Sequence, residues 1–121
     1  NLEAEIKQHP LVSQCVVIGD RRPYLVALVT LDPEEAAKHA AEQGLPEDPA
    51  ALAQNADVKA SIMAHVDQIN AKFARVEQVK KIKILPADLS QEGGELTPTL
   101  KVKRNVVADK YEAEIEQLYA S

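Results

Sequence analysis

The sequence predicts an α+β fold: a small antiparallel sheet, made of a hairpin plus a further strand, covered by helices. Three observations point there. Two apolar runs flank the turn Gly19-Asp20-Arg21-Arg22-Pro23, which is the pattern of a β-hairpin. Segments with helix-start signals and helical spacing separate that hairpin from a third short run of period-two alternation. Strands and helices neither repeat as βαβ units nor fall into separate blocks, which argues against a doubly wound fold.

The elements follow in order. Leu2 and Ile6 stand four apart and His9-Pro10 ends their run, so residues 2–9 read as a short helix. Residues 12–20 read as a strand, and residues 24–31 as its hairpin partner. The second run is almost continuously apolar, as expected for a central strand covered on both faces. Asp32-Pro33-Glu34-Glu35 is a helix start. The aspartate can cap free N–H groups, proline loses nothing at the first helical position, and the glutamates suit the positive end of the dipole. Gly44 is a natural stop, and Asp48-Pro49 is a second start. Residues 57–70 form a longer helix with Val58, Ile62, Val66 and Ile69 on one face, and Phe73 and Val76 are expected to continue its packing. Lys81-Ile82-Lys83-Ile84 alternates as a strand with lysines outward. Residues 86–96 form a loop with Gly93-Gly94 as its most flexible point. Residues 104–119 form the last helix, with Val107, Tyr111, Ile115 and Leu118 as the buried stripe.

The chain has 121 residues, a length that suits one domain able to bury roughly two-thirds of its unfolded surface. Aromatic residues are only 3% of it, so the core must come from Val, Leu, Ile and Ala. A net charge of −5 argues against a nucleic-acid partner, which needs a basic surface. The single cysteine, Cys15, lies in an apolar run and reads as a buried structural thiol in a reducing compartment. No apolar stretch approaches a transmembrane length, and no signal peptide is read. The chain opens on Asn1 with an amphipathic pattern at once, and so reads as cut from something longer.

Little of the sequence carries chemistry by itself. His9, His39 and His65 lack metal-ligand spacing, and no metal site is expected. No nucleophile elbow or Walker-type glycine loop is present. The acidic residues mostly read as helix caps and solvated faces. Two basic clusters remain. Lys80, Lys81 and Lys83 surround the third strand, where lysines ordinarily discourage edge pairing. Lys101, Lys103 and Arg104 follow the Gly-Gly loop and lead into a helix. A lysine placed there can reach another domain's cleft as a mobile point charge.

The stretch Glu95-Leu96-Thr97-Pro98-Thr99-Leu100-Lys101-Val102-Lys103-Arg104 resembles the final signature motif of long-chain acyl-CoA synthetases, members of the adenylate-forming superfamily. The run Val17-Ile18-Gly19-Asp20-Arg21-Arg22-Pro23-Tyr24-Leu25-Val26-Ala27-Leu28 is also characteristic of that branch, and Asn1-Leu2-Glu3 looks like the segment following an interdomain hinge. Many superfamily members carry a glycine before the motif lysine. This chain carries Leu100, as is usual in the long-chain branch.

The resemblance implies that residues 1–121 are the C-terminal lid domain of a long-chain fatty acid–CoA ligase, with the large N-terminal domain and the hinge absent. Such an enzyme uses ATP and Mg2+ to turn a fatty acid into acyl-adenylate, then transfers the acyl group to coenzyme A. Lys101 matches the family's adenylation lysine and is the implied catalytic residue; Lys103 and Arg104 are weaker, cofactor-binding candidates. The implied partners are the N-terminal domain, fatty acid, ATP and coenzyme A, with no nucleic acid and no ligand held tightly by this chain alone. The implied setting is cytoplasmic, with peripheral membrane association of the whole enzyme left open. Two alternatives stay open: the same domain of an acyl-AMP ligase or shorter-chain acyl-CoA synthetase, and a free-standing protein-interaction module.

Overall fold

In the computed structural model, which describes residues 1–120, the elements run α1 (Leu2–Ile6), β1 (Val12–Ile18), β2 (Leu25–Leu31), α2 (Pro33–Gln43), α3 (Pro49–Ala53), α4 (Ala56–Asn70), a 3-10 turn (Arg75–Glu77), β3 (Val79–Ile84), α5 (Arg104–Lys110) and α6 (Glu112–Ala120). They divide into two compact units, residues 1–88 and the segment beginning at Leu89.

In the first unit, β1 and β2 form the expected antiparallel hairpin, with Val12 opposite Leu31 and Ile18 opposite Val26. The third strand corrects the expectation of an antiparallel sheet. β3 lies beside β2 and parallel to it, so the sheet is mixed, in the order β1-β2-β3. A parallel neighbour needs a crossover of about a dozen residues or more. The segment holding α2, α3 and α4 supplies it, whereas the Lys-Ile alternation of β3 reads the same in either direction.

Alternation on β2 decides what the helices cover. Ala27, Val29 and Leu31 pack in one cluster with Ile82 and Ile84 of β3, Ile6 of α1, Ala36 and Ala40 of α2, Leu52 of α3 and the Val58-Ile62-Val66-Ile69 stripe of α4. Val26 and Leu28 alternate to the other side and are buried too, so the central strand is buried on both faces, as its continuous apolar run predicts.

The helix boundaries follow the capping chemistry. The Asp32 carboxylate accepts hydrogen bonds from the Glu34 and Glu35 N–H groups, both at 3.0 Å, and Gly44 closes α2 with φ 66. Asp48 caps α3. Asn55 caps α4, accepting from the N–H groups of Asp57 and Val58, which starts that helix one residue before the expected position. Val76 does not extend the packing of α4. It sits in the 3-10 turn and is 82% exposed, while Phe73 is half-buried against the core.

Two polar links, one buried and one part-buried, were not foreseen. The Asn70 amide, at the end of α4, donates to the Val79 carbonyl at 2.8 Å and accepts from the Val79 N–H at 2.9 Å. It therefore acts as a one-residue strand partner at the entry of β3. Asp88 accepts hydrogen bonds from the Ser13 hydroxyl at 2.8 Å and the Thr30 hydroxyl at 2.7 Å. This ties the end of the unit to the irregular register between Val12 and Gln14. On the edge strand, the Lys81 ammonium lies 5.7 Å from the centre of the Tyr24 ring, so part of the first basic cluster packs locally.

Candidate functional site

The second unit carries the other basic cluster. Its chain first makes a tight turn. Glu95 N–H and Leu96 N–H both donate to the Ser90 carbonyl, Gly94 N–H donates to the Gln91 carbonyl, and Gly93 N–H donates to the Ser90 hydroxyl. Gly94 adopts φ 79, which glycine tolerates without steric cost. The Gly-Gly segment, expected as the loosest point of the loop, is thus a hydrogen-bonded turn.

A small hairpin follows. Leu96 bridges Val102 in antiparallel fashion, and Thr97 holds Lys101 twice. The Thr97 N–H donates to the Lys101 carbonyl at 2.8 Å, and the Thr97 hydroxyl accepts from the Lys101 N–H at 3.0 Å. Thr97 also closes the tip, its carbonyl accepting from Leu100 N–H at 2.8 Å. Leu100 occupies the left-handed region, with φ 63, and is 60% exposed. A leucine there costs about 1 kcal/mol of backbone strain that a glycine would not. A glycine at this position would adopt the same backbone without that cost, so Leu100 marks a strained tip.

Lys101 leaves this hairpin exposed, on a backbone held at both its N–H and its carbonyl. Lys103 follows as the N-cap of α5 without a side-chain capping bond, and its N–H donates to the Glu95 carbonyl at 2.8 Å. Arg104 opens α5, and both side chains are exposed. The first turn of α5 has no acidic residue, so these cations add to the positive end of the helix dipole. The result is a local cationic spot on a chain of net charge −5. The three candidate residues stand together along one hairpin exit.

Beneath them lies a group that sequence reasoning missed. Glu95 is 2% exposed, in contrast to the solvated role expected of most carboxylates here. Its Oε1 accepts from the Ser90 N–H at 3.0 Å, and its Oε2 pairs with the Lys110 ammonium at 3.0 Å. A Cβ at Gly93 would come within 2.7 Å of Oε1, so that glycine leaves room for the carboxylate. Hydrogen bonding to Glu95 raises the Lys110 pKa; burial opposes the rise, and the charges of Glu95 and Tyr111 add to it. Burial first, and the Glu95 charge second, push the Tyr111 phenol up. The Lys110 ammonium also lies 5.7 Å from the centre of the Tyr111 ring. No local pattern announces the pair, since its members are fifteen residues apart.

The expected single helix over residues 104–119 is broken at Tyr111, with φ −108 and ψ 27. Its stripe survives, because Tyr111 N–H donates to the Val107 carbonyl and Ile115 N–H to the Tyr111 carbonyl. Val107, Tyr111 and Ile115 are buried and Leu118 is half-buried.

Comparison with known proteins gives this geometry a context. The chain is 43% identical over 120 residues to the long-chain-fatty-acid–CoA ligase FadD15 of Mycobacterium tuberculosis, a match covering 98% of this chain and 20% of that protein. It is 33% identical over 117 residues to the long-chain-fatty-acid–CoA ligase 5 of Rattus norvegicus, covering 95% of this chain and 17% of that one. The structure of the A-PCP didomain of carboxylic acid reductase from Segniliparus rugosus, in complex with AMP, matches with a TM-score of 0.74 at 30% identity, over 98% of this chain and 15% of that one. The chain thus spans about a fifth of the curated relatives it matches. With a family match that runs over residues 1–121, the chain belongs to the AMP-binding enzyme C-terminal domain family.

Proposed function

We propose that this chain is the lid domain of an ATP-dependent, AMP-forming long-chain fatty acid–CoA ligase. In the whole enzyme, a fatty acid and ATP give acyl-adenylate and pyrophosphate, and coenzyme A then displaces AMP to give the thioester. The partner is a large N-terminal domain that holds the acyl and nucleotide sites, against which the lid takes one orientation for each half-reaction. The names of the relatives favour this substrate class.

The observation that carries the reading is the presentation of Lys101: an exposed ammonium on a backbone pinned by Thr97, at the tip of a cationic spot. Adenylation crowds an attacking carboxylate, the α-phosphate and a departing pyrophosphate into one place. A fixed ammonium there stabilises the charge that develops in the transition state. Lys103 and Arg104 supply further positive charge toward the phosphates. Among the described residues no three His, Cys, Asp or Glu side chains gather as a metal site. Mg2+ therefore enters this reading only as the companion of ATP, and no step is assigned to it on this chain.

The test is Lys101→Ala in the full-length ligase, with the half-reactions measured separately. Adenylation should fall by about 10²–10³, or roughly 3–4 kcal/mol, the usual loss for one pre-organised contact. Thioester formation from supplied acyl-adenylate should be spared. An equal fall in both steps, or no fall in either, would refute this role. A second reading, the same lid in another carboxylate-activating enzyme, is favoured by the carboxylic acid reductase match. Transfer to a carrier-protein thiol instead of to free coenzyme A would select it.

A further inference from the structure

We propose that Glu95 is a positioning residue for Lys101: its buried carboxylate locks the base of the lysine hairpin to the end of α5 through Lys110. This inference rests on the adenylation role proposed for Lys101 and adds the part of the fold that aims it.

A carboxylate that is 2% exposed bears a desolvation cost and needs partners in place. Glu95 has them on both sides of the loop. Oε1 takes the Ser90 N–H, at the start of the turn, and Oε2 takes the Lys110 ammonium, in the last turn of α5. Its main chain is committed as well. The Glu95 N–H donates to the Ser90 carbonyl, and the Glu95 carbonyl accepts from Lys103, two residues beyond Lys101. One residue therefore grips the incoming strand of the hairpin, the outgoing strand and the following helix.

The hairpin tip cannot fix itself. Leu100 is held in a backbone region unfavourable to leucine, and that conformation persists only if the surroundings over-determine it. The Thr97 bonds define the geometry within the tip, but they do not aim the tip relative to α5. The Glu95–Lys110 pair does. The lysine half has 47% of its side chain accessible, so removing it disturbs packing little but strands the buried carboxylate, whereas replacing both partners removes the link without leaving that charge unpaired. Hence the pair can be taken apart from either end.

The experiment uses the full-length ligase with Glu95→Gln, Lys110→Met, the double variant and Lys101→Ala, each assayed in both half-reactions and by thermal unfolding. Glu95→Gln should lower adenylation by about 10–100-fold, the scale of a misplacement near 1 Å. Thioester formation from supplied acyl-adenylate should be unchanged. Lys110→Met should lower the same step, and the double variant should be no worse than Glu95→Gln, since one linkage is being removed twice. A purely structural role would instead depress both half-reactions together with the unfolding temperature, and that result overturns the inference. Additive effects of the two substitutions, or full adenylation in both single variants, overturn it too. If Glu95→Gln does not fold, Lys110→Met decides alone. If Lys101→Ala spares adenylation, the role of Lys101 falls and this inference with it. If Lys101→Ala is impaired and the Glu95 and Lys110 variants are not, only this inference falls.

Discussion

His9 shows how one side chain ties stability to pH. Its Nδ1 accepts a hydrogen bond from the Leu11 N–H at 3.1 Å, so Nε2 carries the ring proton and faces the Ser61 hydroxyl at 3.0 Å. The His65 ring lies edge-on at 5.5 Å between centroids. A second proton on His9 would have to sit at Nδ1, against a donor. Burial, and then the charge of His65, hold the His9 pKa below its ordinary value of 6.5. Glu35, Lys38, His39 and Glu42 line the same depression, and their opposed charges leave that direction unchanged. The folded state therefore binds fewer protons than the unfolded chain just below pH 6.5. Stability is complete above that value and is lost as pH falls through the lowered folded pKa. Denaturant midpoints measured between neutral and mildly acid pH should fall, and His9→Gln should flatten the fall. An unchanged slope in the variant would count against this account. The stretch around Lys101 stood out in the sequence because the motif it resembles is contiguous, whereas the hairpin that presents Lys101 was not foreseen. The Leu100 strain and the Glu95 pair were not legible, because both depend on where a turn brings the backbone back.

Among the elements, those with chemical punctuation were readable. Asp32-Pro33, Gly44 and Asp48-Pro49 cap or close helices as their chemistry requires, and the apolar run of β2 is a buried central strand. The direction of β3 was hidden, because alternation reports which face a residue takes and not which way a strand runs. What fixes its entry is Asn70, whose side chain satisfies both main-chain groups of Val79 at a position that is nearly inaccessible to water. Asn70→Ala should strip both bonds and cost about 2–3 kcal/mol, the range for leaving buried backbone groups unpaired. Urea titration of the chain checks it. A loss close to zero would mean that water or a shifted β3 replaces the amide, and that Asn70 is not what seats the strand.

At the scale of the whole molecule, the described residues form a core and an exposed cationic tip, and two of their cavities carry carboxylates on their walls. The first unit offers a groove of about 320 Å³ lined by Leu31, Pro33, Ala36 and Leu52, with Glu47, Asp48 and Asp88 on its walls. Those carboxylates repel a triphosphate. The depression beside His9 presents Glu35 and Glu42 with Lys38 among them, a mixed lining rather than a cationic one. The cationic residues Lys101, Lys103 and Arg104 belong to the second unit, and their side chains are exposed. Rate enhancement comes from holding the reacting groups together in a water-poor site. An exposed ammonium facing bulk solvent has neither benefit, because water screens its charge. Expressed alone, the chain should therefore fold, as its buried Val, Leu and Ile cluster allows, yet catalyse neither half-reaction. Circular dichroism should show a cooperative unfolding transition. Incubation with ATP, Mg2+, a long-chain fatty acid and coenzyme A should give neither ATP–pyrophosphate exchange nor thioester. Acyl-CoA formed by the isolated chain would overturn the lid assignment, since Lys101 would then be working in a site that this chain builds for itself.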